Sequence, residues 1–116
     1  MTAMEKGDYL LSFIQSFEYV EDSTYEETNE YWKFPLETLF DICGDCEDLS
    51  ILYCSIAKNL GLDCALLIYY SHVAAGVYID GKGSEDGYYY CETSSNVYSF
   101  GNKPWFVSSL IKCISI

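Results

Sequence analysis

The chain contains no arginine, and its six lysines face eighteen acidic residues, which gives a formal net charge of −12 over 116 residues. Without guanidinium groups it lacks the bidentate donors that clamp phosphates, and a field of this sign repels polyanions. Nucleic acids and acidic membrane surfaces are therefore disfavoured as partners. The composition predicts a neutral or basic polypeptide instead.

Long apolar runs are also missing. No stretch approaches the ~18 residues of a membrane helix, and the N-terminus shows no basic-then-apolar signal pattern. We therefore expect no membrane segment in this chain and a cytoplasmic location, although the sequence would also suit one domain of a longer exported protein. Half of the residues are hydrophobic, so residues 1–116 are predicted to form a single domain.

The chain has six cysteines but one histidine. Cys54, Cys64 and Cys91 lie in apolar runs and are predicted to be buried. If Cys46 stays free, an odd number remains and cannot pair completely, which indicates a reducing compartment. Cys43 and Cys46 form a C-x-x-C pair, but a zinc site is disfavoured because a second pair is lacking, and a redox pair because a βαβ context is lacking.

The spacing of apolar residues predicts helices first and strands later. A helix is expected over 4–20, a short one from Pro35 to Asp41, and a third from Cys46 to Leu60. Strands are expected at 64–70, 72–79, 88–92, 97–100 and 106–115, with a turn at 80–84. This order indicates an α+β fold with helices packed on a small antiparallel sheet.

The start of the third helix is suited to a nucleophile. Cys46 lies where backbone N–H groups and the helix dipole stabilise a thiolate. Asp45 is a good N-cap, and Glu47 and Asp48 suit the first turn. The same three acids could bind a hard cation such as Ca²⁺ through oxygen ligands, so calcium binding is a hypothesis beside capping.

A thiol nucleophile needs a base, and the single histidine makes His72 the candidate. A hairpin turn centred on Lys82 would place Glu92 opposite His72 on one face of the sheet, where the acid can orient the imidazole. The alternation puts Ala74 and Gly76 on that face as well. Because these residues are small, we expect the helix to pack against that face.

Several sequence pieces together resemble the transglutaminase-like cysteine peptidase superfamily. They are Phe34 to Leu39, Gly44-Asp45-Cys46-Glu47-Asp48, Ser50 to Leu52, Leu60-Gly61, His72-Val73-Ala74, Gly76-Val77, Tyr90-Cys91-Glu92-Thr93, Gly101 and Pro104. The resemblance runs from about residue 9 to 104 and implies a papain-like thiol fold. It further implies Cys46 as nucleophile, His72 as general base and acid, and Glu92 as the residue that orients His72. Many members of the superfamily carry Asp at this third position.

The chemistry implied by the resemblance is acyl transfer without a required cofactor. It favours a cysteine peptidase or amidase that forms a Cys46 thioester, which water hydrolyses. The alternatives are transglutaminase-type cross-linking by a lysine amine and a non-catalytic protein-interaction module. The oxyanion would bind the Cys46 backbone N–H and a second donor. Gln15, Tyr31 and Trp32 are the candidates for that donor, and each could instead have a packing role.

Overall fold

The computed structural model describes residues 1–19, 43–44, 46–70 and 72–116. The elements of this part are, in chain order, α1 (Ala3–Gln15), β1 (Glu18–Tyr19), β2 (Cys43–Gly44), α2 (Cys46–Asn59), β3 (Asp63–Tyr69), β4 (His72–Gly83), β5 (Gly87–Cys91) and β6 (Lys112–Ser115). Both helices precede the four strands of an antiparallel sheet, so the predicted α+β class is confirmed. The helix predicted at 35–41 lies outside the described residues. Within the described ranges, no helix has the length and apolar character needed to cross a membrane.

The helix α1 begins at a capping box. The Thr2 hydroxyl accepts a hydrogen bond from the Glu5 backbone N–H, and the Glu5 carboxylate accepts one from the Thr2 N–H. Two donors that a helix start leaves open are thereby satisfied. Leu10 and Ile14 belong to its buried stripe. The helix ends at Gln15, earlier than predicted, because the chain soon enters β1, which pairs in parallel with β2.

The main sheet contains β5, β4, β3 and β6 in that spatial order, and all neighbours are antiparallel. In the hairpin of β3 and β4, Tyr69 lies opposite His72. The bounds of β3 lie within one residue of the prediction, whereas β4 begins as predicted and continues past residue 79 to Gly83. The last strand is shorter than expected. It occupies Lys112–Ser115 within the predicted run 106–115.

The segment between β5 and β6 forms turns. The predicted edge strand at 97–100 is therefore wrong. The Gly101 N–H instead donates to the Tyr90 carbonyl at 2.8 Å, and the Val107 N–H closes a turn onto the Pro104 carbonyl at 3.1 Å. Pro104 also has no N–H to donate to a strand ladder, which keeps the chain around it out of the sheet.

The two faces of the sheet are packed differently. The odd-numbered residues of β4 from 73 to 77 share a core with the buried residues of α1 and α2. Ala74 lies in the other cluster, with Leu67. The expectation that the helix packs on the face of Ala74 and Gly76 is therefore wrong. Small residues at these positions make room for Leu67, whose Cδ1 would lie 3.0 Å from a Cβ at residue 76.

Candidate active site

The first turn of α2 carries the candidate nucleophile. Cys46 is the first residue of the helix and is half-buried. Leu49 and Leu52 are 0% and 2% exposed, and they fix this end of the helix to the core. The first N–H groups of a helix have no carbonyl partner within it, so this end carries partial positive charge that favours an anion on Cys46. Asp45, the predicted N-cap, lies outside the described residues.

His72 connects Cys46 to Glu92. It is the first residue of β4, and its Nε2 lies 2.9 Å from Oε1 of Glu92. The Cys46 side chain is close enough to the His72 ring to raise its pKa. Because Nε2 is engaged by Glu92, Nδ1 is the ring nitrogen left for the sulfur. Thiol, imidazole and carboxylate therefore follow one another, and we call these three side chains the contact series.

The hairpin of β4 and β5 brings Glu92 to His72 in a register that differs from the predicted one. Ala75 pairs with Cys91. The next position along the ladder therefore places Glu92 opposite Ala74 and not opposite His72. The predicted register is therefore wrong. The shift of two residues leaves Glu92 on the same face as His72, and diagonal neighbours lie within reach of a long side chain.

The position of the turn explains this shift. Glu85 and Tyr88 exchange backbone hydrogen bonds of 3.1 and 2.9 Å around Asp86 and Gly87. The φ angles of these two central residues are 52° and 92°. Such a turn is of the two-residue type I′ kind, for which Asp-Gly is a favoured pair. The strand β4 therefore continues through residues 80–83, where the sequence predicted the turn.

The Glu92 carboxylate is buried and fully engaged. Its residue is 2% exposed. The Tyr90 hydroxyl donates to Oε1 and the Ser94 hydroxyl to Oε2, both at 2.6 Å. Sequence reasoning did not identify Tyr90 or Ser94 as site residues. The signal that could have found them is the two-residue spacing on either side of Glu92, which places neighbours on one face of a strand.

These contacts fix the charges of the site. Burial alone lowers the pKa of His72, but hydrogen bonds to Cys46 and Glu92 and the charges of both groups raise it to about 10. Burial raises the pKa of Glu92, but three hydrogen bonds to its carboxylate bring it below its usual value. At neutral pH, His72 is therefore an imidazolium and Glu92 a carboxylate.

The Gln15 side chain is hydrogen-bonded to the backbone near the site. Its amide Nε2 donates to the backbone carbonyls of Glu92 and Tyr98, both at 2.8 Å. Both amide hydrogens are therefore used, and a bond to an oxyanion would require breaking one of these two. The structure thus gives Gln15 the role of holding the backbone behind the site. Tyr31 and Trp32 lie outside the described residues, so their assignment stays a prediction.

The acids around Cys46 were also tested as ligands for a cation. Asp48 is 1% exposed, whereas Glu47 is half-buried. Glu47 and Asp48 are consecutive residues of the first turn, and consecutive residues of a helix project in different directions. Among the described residues, no group of three or more His, Cys, Asp or Glu side chains is placed to hold a metal. A calcium site at these acids would therefore need further ligands from outside the described residues, where Asp45 lies.

The other described thiols have surroundings unlike those of Cys46. Cys54, Cys64 and Cys91 are 2%, 2% and 0% exposed, so their predicted burial is confirmed. A hydrogen bond with Cys64 and burial hold the pKa of Cys54 well above its usual value, and burial raises the pKa of Cys91 to about 12. Cys54 and Cys91 therefore stay neutral at physiological pH and are unsuited to nucleophilic attack. A hydrogen bond with Cys54 lowers the pKa of Cys64, but this thiol is buried away from any substrate.

A protein-family model matches the part of the chain that carries this site. A family model described as the transglutaminase-like superfamily matches residues 1–93. The matched range contains both helices, the strands β3 to β5 and all three residues of the contact series. No curated protein sequence matches the chain significantly.

Comparison with solved structures identifies three structures of Legionella pneumophila LapG as similar in fold. The calcium-bound form has a TM-score of 0.60, and the EGTA-treated form and a further LapG structure have 0.61. Each is 22% identical in sequence over 79% of this chain, and the match covers 53–54% of the LapG chain. This chain therefore spans about half the length of the LapG chains, and at this identity the similarity concerns the fold alone.

Proposed function

Because this chain belongs to the transglutaminase-like superfamily, we propose that it is a thiol-dependent acyl-transfer enzyme. Its activity is that of a cysteine peptidase or amidase, which hydrolyses peptide or side-chain amide bonds. One observation carries this proposal. The Cys46 side chain at the start of α2 interacts with the His72 ring and raises its pKa, and Nε2 of His72 lies 2.9 Å from Glu92. A nucleophile, a base and an orienting acid are the groups that covalent acyl transfer requires.

The proposed reaction begins with the thiolate of Cys46. Its sulfur adds to the amide carbonyl carbon, and the oxyanion accepts a hydrogen bond from the Cys46 N–H at the helix start. Collapse of this intermediate breaks the C–N bond, and the His72 imidazolium gives its proton to the departing amine. The neutral imidazole then removes a proton from water, which attacks the thioester. Release of the carboxylic acid restores the thiolate and the imidazolium.

Glu92 supports both proton transfers by holding His72. Its carboxylate stabilises the imidazolium and fixes the ring orientation from the Nε2 side, which leaves Nδ1 to face the sulfur. The second oxyanion donor is proposed to come from Tyr31 or Trp32, since both amide hydrogens of Gln15 are donated to backbone carbonyls. A single backbone donor would give weaker stabilisation of the oxyanion than two.

Alkylation of the thiols by iodoacetamide at pH 7 tests the proposal. We expect Cys46 to react at least about tenfold faster than Cys113, which is half-buried on β6 and has a raised pKa because it is desolvated. His72→Ala should remove this advantage, because the thiolate then loses its cationic partner. Peptide mapping by mass spectrometry measures the two rates separately. Equal rates at the two thiols, unchanged by His72→Ala, would favour the non-catalytic module.

The same protein can then be assayed for its substrate. The net charge of −12 supports a neutral or basic polypeptide as substrate, and peptides matched in sequence but flanked by Lys or Glu measure this preference. Cys46→Ser supplies the background rate. Incorporation of a fluorescent primary amine in place of hydrolysis would identify cross-linking, in which an amine rather than water resolves the thioester.

The unpaired thiols among the described cysteines support a reducing, cytoplasmic location.

Calcium binding is proposed only with Asp45 as a ligand. One similar LapG structure is described as calcium-bound, and Glu47 and Asp48 alone supply fewer than the roughly six to eight oxygen ligands that Ca²⁺ takes. A cation held at the start of α2 would stabilise the folded state by mass action. We expect added Ca²⁺ to raise the melting temperature, and Asp45→Ala to abolish the rise. An unchanged melting temperature in the wild-type chain would remove calcium from the proposal.

A further inference from the structure

The carboxylate of Glu92 is held by the residues two positions before and after it. The Tyr90 hydroxyl donates to Oε1 and the Ser94 hydroxyl to Oε2, both at 2.6 Å. The ring nitrogen of His72 lies 2.9 Å from the same Oε1. Tyr90 and Glu92 are 0% and 2% exposed, so bulk water does not take the place of these donors. Each carboxylate oxygen therefore has a fixed protein donor.

The backbone at Glu92 is held as well. Gln15 donates to the Glu92 carbonyl at 2.8 Å from α1. On the other side, the Thr93 hydroxyl lies 3.2 Å from the hydroxyl of Ser50, a buried residue of α2. The Ser50 hydroxyl in turn donates to the Val73 carbonyl at 3.4 Å. The chain around Glu92 is thereby tied to the helix of Cys46 and to the strand of His72.

A glutamate needs such support more than an aspartate would. Its side chain has an additional rotatable bond, and fixing that bond costs conformational entropy. Glu92 also reaches His72 along a diagonal of the hairpin and not from the directly opposite position. Without other donors, the carboxylate could turn away from the imidazole while the backbone stayed in place. A short, charge-assisted hydrogen bond to each oxygen opposes that rotation.

We propose that Tyr90 and Ser94 are positioning residues, which hold the Glu92 carboxylate in the orientation that His72 requires. This inference rests on the proposed function, because it concerns the same site. It goes further by assigning a role to two side chains that do not contact the sulfur or the scissile bond. The two hydroxyl groups act through Glu92, and Glu92 acts through His72.

The ionisable groups that face Tyr90 and Glu92 come from three further elements, β3, α2 and β4. Tyr69 of β3 packs its ring 5.7 Å from that of Tyr90, but its hydroxyl donates to Glu85 at 2.6 Å. Cys46 of α2 and His72 of β4 are the other ionisable groups that interact with Tyr90 or Glu92. Among the described residues, His72 is the cation that pairs with Glu92. The charge of His72 is therefore a direct measure of how well Glu92 is placed.

The single histidine makes this measurement specific. An NMR titration of the imidazole reports His72 alone. The variants are made in a Cys46→Ala background, because a coupled thiol and imidazole would titrate as a pair. Tyr90→Phe and Ser94→Ala should each lower the pKa of His72 by about half a pH unit or more, since a rotating carboxylate stabilises the imidazolium less.

Matched variants separate positioning from general disturbance. Tyr89→Phe removes a hydroxyl from the next residue of the same strand, where the ring stacks on Phe100, and it should leave the pKa of His72 unchanged. Ser94→Thr keeps the hydroxyl and should restore the pKa that Ser94→Ala lowers. If Tyr90→Phe loses its folded circular dichroism spectrum, the Ser94 variants decide the question alone.

A rise in the pKa of His72 in Tyr90→Phe or Ser94→Ala would overturn the proposal. If the two hydroxyl groups only share the charge of Glu92, their removal makes the carboxylate a stronger acceptor and raises the pKa of His72. An unchanged pKa in the folded variants would equally remove the positioning role. A lowered pKa together with an unreactive Cys46 in the wild-type chain would leave the positioning role in place and remove the proposed enzyme activity.

Discussion

Cys46 and Cys54 lie on the same helix, about two turns apart, yet the start and the middle of α2 give them opposite chemistry. Cys46 is half-buried at the N-terminus and interacts with the His72 ring. Cys54 is 2% exposed, and its thiol donates to the Ala65 carbonyl at 3.3 Å. One thiol is surrounded by groups that favour negative charge, and the other by groups that prevent it.

The difference shows that reactivity follows from position and not from residue type. At the N-terminal end, the helix dipole and His72 both stabilise a thiolate. Towards the C-terminal end, Cys54 meets Cys64, whose own thiol donates to the Cys54 carbonyl at 3.3 Å. Apolar burial and neutral hydrogen bonds make these thiols part of the core. The start of the helix thus carries the candidate nucleophile, whereas its middle contributes a thiol to the core.

The largest predicted effect is the difference in stability between the truncation of Cys54 and that of Cys46. Cys54→Ala leaves a cavity in a packed region and should lower the free energy of unfolding by about 1–2 kcal/mol. Cys46→Ala should change it by less than about 0.5 kcal/mol while abolishing hydrolysis. Urea unfolding followed by circular dichroism measures both values.

Cys113→Ala is the control for that pair, because it removes a half-buried thiol from β6 without contact to either end of α2. Its effect on unfolding should resemble that of Cys46→Ala. Equal losses of stability from Cys46→Ala and Cys54→Ala would show that the two thiols contribute equally to the packing of the core.

A smaller effect should appear as a change of stability with pH. The pKa of His72 rises from 6.5 to about 10 on folding, so protonated His72 favours the folded state. This contribution is fully present below about 6.5 and is lost as the pH rises through about 10. The difference in unfolding free energy between wild type and His72→Gln should therefore be larger at pH 6.5 than at pH 10.5.

Making both proteins in a Cys46→Ala background removes the thiol that titrates together with His72. The difference between the two proteins then removes the other titrations from this measurement. The buried thiols and tyrosines are present in both and largely cancel in the difference. A difference that stays constant between the two pH values would mean that His72 has the same pKa in the folded and unfolded chain. In that case the contact with Glu92 would carry no net electrostatic stabilisation.

Local sequence was sufficient to predict the helix that carries Cys46. The start at Cys46, the acids of the first turn and the buried positions Leu49 and Leu52 all follow from periodicity and capping rules. Gly61, with a φ of 82°, provides the expected stop. These features depend on residues close together in the chain, which is why a pattern of spacing could identify them.

The hairpin register could not be predicted from local sequence. Asp80-Gly81 and Asp86-Gly87 are identical dipeptides, and all four residues have positive φ. Either pair satisfies the preference of a tight turn. The second pair forms the turn, while the first lies in the region where the register between β4 and β5 shifts. The choice between them depends on how the two strands pair along their length.

The contacts of Gln15 were beyond sequence reasoning for a related reason. The residue was recognised as a donor, but its partner at Glu92 is 77 positions away in the chain. A side chain that can donate to an oxyanion can equally donate to a backbone carbonyl. Only the docking of α1 against the end of β5 decides which acceptor it meets.

Gly83 allows the register to be followed across related sequences without any structure. A Cβ at this position would overlap the backbone of Tyr88, so no other amino acid is compatible with the hairpin as it stands. In an alignment of homologues, a retained glycine here would therefore mark chains with the same register. A replaced glycine would mark chains in which the acid that meets the histidine must be sought at a different position.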